Sequence, residues 1–181
     1  MGGKVWIEVD YRFLKDRKAD MRLYAYSRCK SVYVDGKRSL ALNLSEMGRE
    51  LGVSRQTLSK RLEYLRVNYP SMLKVEDKKV VMFDGNGFNV VGDRDKVLKL
   101  VLEGREEDVR VYFYLRRQDS YWRNVRGENF DFSLSGLSVA TGYCNNDYGR
   151  DKTKGALERL EEKGLVRLGW KDRYRKVLAI E

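Results

Sequence analysis

The amino-acid sequence predicts an α+β protein made of two similar domains in tandem, the product of an internal duplication. Residues 42–65 have the pattern of two short helices joined by a tight turn, and residues 73–83 have the pattern of a β-hairpin. The second half of the chain repeats both patterns in the same order. A hydrophobic content of 42% beside 35% charged residues fits globular domains.

The first half centres on a pair of short helices. Met47 and Leu51 lie four residues apart, on one face of the first helix. Gly52 follows, where a glycine adopts the left-handed conformation that ends a helix at no steric cost. Ser45 and Ser54 are the predicted N-caps, because a serine hydroxyl accepts hydrogen bonds from free backbone N–H groups of the first turn. The predicted buried stripe of the second helix is Leu58, Leu62 and Leu65.

The second helix of this pair also has a polar face, which lies opposite its leucines. The polar face and the N-cap consist of Ser54, Arg55, Gln56, Ser59, Lys60 and Glu63. Side chains of these types reach base edges and phosphates in a DNA major groove. The pattern is typical of a DNA-binding helix-turn-helix. An ordinary helical hairpin with a solvated charged face has the same pattern and is the alternative.

Other elements surround the helix pair in the first half. Residues 5–14 alternate partially and are predicted to be extended, and residues 19–34 are predicted to contain a helix that ends before a turn at 30–39. The hairpin at 73–83 has a polar tip that includes Lys78 and Lys79.

The second half repeats the first with small insertions. Asp20–Tyr26 recurs 88 positions later as Asp108–Tyr114, and Leu42–Met47 recurs 90 positions later as Phe132–Leu137. Ordered repeats of this kind indicate a duplicated domain. The predicted domains span 1–84 and 94–181, the second opening with a helix over residues 96–103, and the glycine-containing segment 85–93 is the predicted linker.

Both halves resemble the winged helix-turn-helix superfamily, in which the hairpin after the helix pair is called the wing. Leu160, Gly164 and Leu165 are similar to that superfamily's leucine in the third helix and Gly-Leu exit. Two copies in one small basic chain resemble plasmid and phage replication initiators and tandem winged-helix regulators. The resemblance implies sequence-specific binding of double-stranded DNA, in transcription regulation or in replication initiation of a plasmid- or phage-type mobile element.

The second half offers further candidate DNA contacts. Those in and before its second helix are Asn145, Arg150, Lys152 and Lys154, and those in its hairpin are Lys171, Arg173, Arg175 and Lys176. A basic hairpin with aromatic neighbours lies along a phosphate backbone or enters a minor groove. A loop with no ligand and a solvated hairpin remain the alternatives for these two segments.

The charge of the chain favours a polyanionic partner. Lysine and arginine number 37 against 27 acidic residues, which gives a net charge of +10 and a pI near 9.6. Without histidine there is no Ser-His or Cys-His nucleophile pair, and the distant Cys29 and Cys144 do not make a usual zinc site. The sequence therefore predicts a non-enzymatic protein with no metal and no cofactor.

The remaining expectations concern location and partners. No apolar run approaches the ~18 residues of a membrane span, and two cysteines fit a reduced, cytoplasmic protein. The expected partners are double-stranded DNA and, beside it, other replication or transcription proteins, with the chain a monomer or a homodimer. A winged-helix adaptor that binds another protein is the alternative function, and a DNA-processing enzyme is the least favoured.

Overall fold

The computed structural model describes residues 3–34, 36–83, 89–171 and 174–181. The structure is α+β, as the sequence predicts, with helices packed beside small antiparallel sheets. The described elements of the first half are β1 (Lys4–Glu8), α1 (Tyr11–Lys15), α2 (Met21–Lys30), β2 (Val32–Val34), β3 (Lys37–Ala41), α3 (Leu44–Leu51), α4 (Arg55–Asn68), β4 (Leu73–Glu76) and β5 (Lys79–Met82).

The second half has its own series of elements. They are β6 (Asn89–Asp93), α5 (Arg94–Glu103), α6 (Glu106–Tyr121) with a π-helical turn at Trp122–Arg126, β7 (Asp131–Phe132), α7 (Leu134–Ala140), α8 (Asp147–Glu162), β8 (Val166–Lys171) and β9 (Tyr174–Ile180). In each half a long helix is followed by a strand, two helices and a hairpin. These elements are α2, β3, α3, α4, β4 and β5 in the first half and α6, β7, α7, α8, β8 and β9 in the second.

The described strands form three antiparallel sheets. One has the order β2-β3-β5-β4 and another the order β7-β9-β8, so the strand before each helix pair bonds to the last strand of the hairpin after it. The third sheet joins β1 to β6, with Lys4 opposite Asp93 and Glu8 opposite Asn89. This sheet links the start of one half to the start of the other.

The segment predicted as a linker, 85–93, contains this strand. Residues 89–93 form β6. Val90 and Gly92 are buried and the other three residues are half-buried, the alternation expected of a strand with one face against the core. Residues 84–88 lie outside the described residues. The extended segment predicted at 5–14 is likewise divided, into β1 and α1, because Asp10 caps a short helix by accepting from the backbone N–H of Arg12 at 2.7 Å.

Caps set the starts of the longer helices. Asp20 begins α2 by accepting from the backbone N–H of Leu23 at 2.8 Å. Helix α3 begins at Leu44, and its N-cap is Asn43, which accepts from the N–H of Glu46 at 3.2 Å. The predicted cap Ser45 therefore lies inside the first turn. Asn43 replaces it because an asparagine side chain caps a helix as well as serine does.

The core is continuous across the two halves. The aromatic residues of the repeated segments, Tyr24 of α2 and Tyr112 and Phe113 of α6, are buried in it. Phe13 of α1 packs against Tyr24, with ring centroids 5.4 Å apart. Burial of large aromatic rings supplies much of the apolar stabilisation of such a core.

Buried polar contacts also join the halves. The guanidinium of Arg110 in α6 donates to the backbone oxygen of Leu14 at 2.6 Å and to that of Asp16 at 2.9 Å. The carboxylate of Glu106 accepts from the backbone N–H groups of Met21 and Arg22 at 2.8 and 3.0 Å. The start of α6 is therefore fixed against both ends of the loop between α1 and α2.

Candidate nucleic-acid interface

Helix α4 begins after a tight turn that the sequence specifies. Gly52 has a φ of +67°, the left-handed conformation predicted for it. Ser54 is the N-cap, and its hydroxyl accepts from the backbone N–H of Thr57 at 3.1 Å. The approach of α3 to this turn requires a glycine, because a Cβ on Gly48 would lie 2.7 Å from the backbone oxygen of Val53. These contacts fix the direction in which α4 leaves the turn.

The two faces of α4 differ as the sequence predicts. Leu58, Leu62 and Leu65 are buried. The exposed residues at the start of the helix and along its outer face are Ser54, Arg55, Gln56, Ser59 and Lys60. Within the described part of the chain, the side chains of Arg55 and Lys60 form no hydrogen bond and no ion pair. Both side chains are thus available to an external ligand.

The loop between α1 and α2 contacts a further side of α4, apart from the leucines and the polar face. Arg61 forms an ion pair with Asp20 at 2.6 Å, and the hydroxyls of Tyr64 and Tyr69 each donate to the Asp16 carboxylate at 2.8 Å. Burial opposes ionisation of Asp16, but these hydroxyls and nearby backbone N–H groups together hold its pKa below the ordinary value of 3.8. The outer face of α4 is therefore presented at a fixed orientation.

Two basic residues of that loop were missed by the sequence interpretation. Arg17 and Lys18 are exposed. They follow Asp16, whose carboxylate binds Tyr64 and Tyr69 at the C-terminal end of α4. The guanidinium of Arg17 also lies 5.2 Å from the ring centre of Tyr143, beside the turn that precedes α8. The three cations within residues 15–18 were the available signal, although their position depends on a fold that sequence alone does not give.

The first hairpin places two lysines at its tip. Asp77 and Lys78 both have positive φ, at 44° and 57°, which makes a two-residue turn with the twist of the flanking strands. Lys78 and Lys79 are exposed. The backbone oxygen of Lys78 accepts from the N–H of Leu42 at 2.7 Å, so the tip lies beside the start of α3.

Helix α8 occupies the corresponding place in the second half. Asn146 is its N-cap and accepts from the backbone N–H of Gly149 at 2.9 Å. Gly149 is required by close packing, since a Cβ there would lie 2.0 Å from the backbone oxygen of Cys144. Asn145 is exposed and accepts from the guanidinium of Arg150 at 3.3 Å, while that guanidinium also pairs with Asp147 at 2.5 Å.

The predicted lysines of α8 are divided between two sides of the helix. Lys154 is exposed, 3.9 Å from Glu158. Lys152 is half-buried and lies 3.8 Å from Glu107 of α6, so the structure does not bring it to the outer face. The physical reason is helical periodicity, because Lys152 lies one turn before the buried Ala156 and therefore on the side of α8 that faces α6.

The second hairpin is described in part. Arg173 and the side chain of Lys171 lie outside the described residues. The guanidinium of Arg175 lies 3.9 Å from the Glu161 carboxylate of α8, and Lys176 is half-buried. The described cations of the second half are thus mostly paired with carboxylates, in contrast to Arg55 and Lys60 on α4.

Among the described residues, no helix is both long enough and apolar enough to pass through a lipid bilayer. Comparisons of this chain with models of protein families, with curated proteins and with solved structures gave no match.

Proposed function

We propose that this chain is a non-enzymatic, cytoplasmic protein that binds double-stranded DNA in a sequence-specific manner. The observation that carries the proposal is the outer face of α4, where Arg55, Gln56, Ser59 and Lys60 are exposed opposite three buried leucines. Arginine binds guanine edges and glutamine binds adenine edges in the major groove, whereas lysine and serine reach phosphates. Helix α4 is therefore the principal DNA-reading element of the proposal.

The order of elements supports a winged helix-turn-helix in each half. In the first half, α3 and α4 are the helix pair and β4–β5 is the wing, closed by the pairing of β3 with β5. In the second half, α7 and α8 are the pair and β8–β9 is the wing, closed by β7. We interpret this correspondence, with the sequence repeats, as an internal duplication of one winged-helix domain.

Charge supports DNA over other partners for the first half. Helix α4 carries four cations and one carboxylate, and Lys78 and Lys79 at the tip of the first wing add two exposed charges. Arg17 and Lys18, in the loop that contacts the C-terminal half of α4, are two further exposed cations. Several cations that act together on a phosphate backbone supply most of the sequence-independent affinity of a DNA-binding protein.

The biological role of the proposal is transcription regulation or replication initiation of a plasmid- or phage-type mobile element, together with other replication or transcription proteins. A protein-interaction adaptor is the second candidate. It is favoured by α8, where Arg150 and Lys154 are paired with carboxylates and Asp151 and Tyr148 are exposed. The carboxylates and the tyrosine of this surface can bind a protein partner.

The experiment is a salt titration of binding to a labelled duplex, followed by fluorescence anisotropy. The logarithm of the association constant should fall linearly with the logarithm of salt concentration, by ~0.9 for each neutralised phosphate. Replacing Lys60 by alanine should make the slope shallower, because the proposal places this lysine on a phosphate. Binding that does not change with salt would contradict the proposal.

Lys37→Ala is the matched control for this titration. Lys37 is exposed at the end of β3 that lies away from the wing tip, because Ala41 at the other end is the residue opposite Lys79. The Lys37→Ala variant removes one charge without changing the proposed surface, so the slope of its salt titration should equal that of the unmodified chain. If the salt dependence of Lys37→Ala becomes as shallow as that of the α4 variant, the change in net charge alone explains the effect.

A further inference from the structure

Two arginines at corresponding positions make the same contacts in the two halves. Arg28 of α2 donates through Nε and Nη2 to the backbone oxygen of Trp6, at 2.9 and 2.7 Å. Arg116 of α6, 88 positions later, donates through the same two nitrogens to the backbone oxygen of Val91, at 3.0 and 2.8 Å. Trp6 lies in β1 and Val91 in β6, the first strand of each half.

The third contact of each arginine is also equivalent. Nη1 of Arg28 donates to the backbone oxygen of Phe83, directly after β5, at 3.2 Å. Nη1 of Arg116 donates to that of Ile180, the last residue of β9, at 2.8 Å. Each arginine therefore joins the first strand of its half to the end of the last strand of the same half.

The ladder between β1 and β6 shows how the two sets of contacts are related. Its five residue pairs run from Lys4 opposite Asp93 to Glu8 opposite Asn89, so the central pair is Trp6 opposite Val91. An antiparallel pair of strands has a local two-fold axis through its centre. That axis exchanges Trp6 with Val91 and therefore exchanges the two arginine contacts.

A second pair of arginines crosses between the halves. Arg22 of α2 donates through Nε to the backbone oxygen of Val101 in α5 at 3.0 Å. Arg110 of α6, again 88 positions later, donates through Nη1 to the oxygen of Leu14 in α1 at 2.6 Å. Helix α1 follows β1 and α5 follows β6. Reciprocal contacts of this kind are those of an isologous, two-fold interface, whereas a head-to-tail repeat would leave its contacts unreciprocated.

We propose that the two helix pairs are related by this approximate two-fold axis, and that the chain recognises two half-sites in inverted orientation within one DNA duplex. This inference rests on the proposed function. A two-fold rotation that superimposes α4 on α8 also relates the base pairs that they contact, as in symmetric dimers whose operators are palindromic. The axis here lies within a single chain.

The two half-sites differ in sequence because the two helices differ. When the buried Leu62 and Leu157 are superimposed, Arg55 and Gln56 of α4 correspond to Arg150 and Asp151 of α8. An aspartate accepts from cytosine and repels phosphates, whereas a glutamine pairs with adenine. The half-site of α4 should therefore be the better defined of the two.

The spacing between the half-sites is fixed by the interface between the halves. The shared core and the contacts of Arg22 and Arg110 hold the described parts of the two halves against each other. On one face of straight DNA, successive major-groove segments lie ~34–36 Å or ~10–10.5 base pairs apart. One inserted base pair between the half-sites should weaken binding, since it rotates one of them about the duplex axis.

The test uses the full chain and a pool of linear duplexes with a randomised core of about two helical turns, ~20–25 base pairs. The expected enriched sequence has two unequal half-sites in inverted orientation, bound by one chain. Reversing the weaker half-site in place should lower affinity about tenfold, as expected for the loss of one good base contact. Arg150→Ala should weaken the dependence on the weaker half-site and leave the stronger one unchanged.

Three results would overturn the inference. One is equal binding of the inverted and directly repeated arrangements, another is a footprint that covers one half-site only, and the third is a palindrome bound by two chains through α4. All three leave DNA binding by α4 intact. Failure to bind any duplex of the pool at low salt would instead overturn the proposed function, and the inference with it.

Discussion

Trp6 and Val91 lie directly opposite each other at the centre of the β1–β6 ladder. The backbone oxygen of each accepts two hydrogen bonds from an arginine, Arg28 for Trp6 and Arg116 for Val91. Hydrogen bonds from a guanidinium are about twice as strong as those between neutral groups. The ladder is therefore held on both sides by the central helices, and the two halves are joined through it.

Arg28→Ala should destabilise the whole protein. Its side chain is 1% exposed, and its removal leaves the backbone oxygens of Trp6 and Phe83 without these donors. The expected loss of unfolding free energy is ~2 kcal/mol or more, from hydrogen bonds to a charged donor. Urea unfolding measures it, with Arg12→Ala as the control because Arg12 is fully exposed. Equal unfolding midpoints for the two variants would contradict the role assigned to Arg28.

Leu62→Ala should loosen the first helix pair. Leu62 belongs to the buried stripe of α4, and truncation of a buried leucine costs ~2–5 kcal/mol. Val67 of the same helix is 59% exposed, so Val67→Ala is the matched control and should unfold near the wild-type midpoint. A small effect at Leu62 would mean that α4 does not pack as described.

Gln56→Ala should alter DNA recognition without altering stability. Gln56 is exposed at the start of α4. If its amide pairs with a base, its loss costs ~1–3 kcal/mol of discrimination at one base pair. Binding to matched and scrambled duplexes, with thermal unfolding alongside, measures both properties. Arg66→Ala, at an exposed residue near the other end of α4 that pairs with Glu63, is the control. An equal loss of affinity for both duplexes would mean that Gln56 contacts a phosphate and not a base.

Asp16 should contribute to stability in a pH-dependent way. Its pKa in the folded protein lies below 3.8, so the folded state binds fewer protons than the unfolded state as the pH approaches that value. The contribution is present at neutral pH and is lost as the pH falls through the folded pKa. Asp16→Asn should therefore be less stable at pH ~7 and lose less stability between pH ~5 and ~3. Parallel stability curves for the two proteins would contradict this.

The local features of α4 follow from its sequence. The spacing of Leu58, Leu62 and Leu65, the glycine at 52 and the serine at 54 each act through contacts within a few residues, so periodicity and capping rules predict them. The turn of the first hairpin at Asp77 and Lys78 is a local feature of the same kind.

Features that depend on distant partners were not predictable in this way. Strand β6 is short and contains Gly92, and its partner β1 is about 85 positions earlier, so nothing near it in sequence indicates a strand. Lys152 is two residues from Lys154 in the sequence, but its side chain lies beside Glu107 of α6 instead. The crossing contacts of Arg22 and Arg110 likewise become visible only when the two halves are packed together.

Selection from a random duplex pool, performed in parallel with the unmodified chain and with Gln56→Ala, tests most directly whether α4 reads DNA sequence. We expect a defined enriched motif for the unmodified chain and the loss of preference at one position of that motif for the variant. No enrichment over the starting pool, or the same motif at full strength for both proteins, would contradict this expectation.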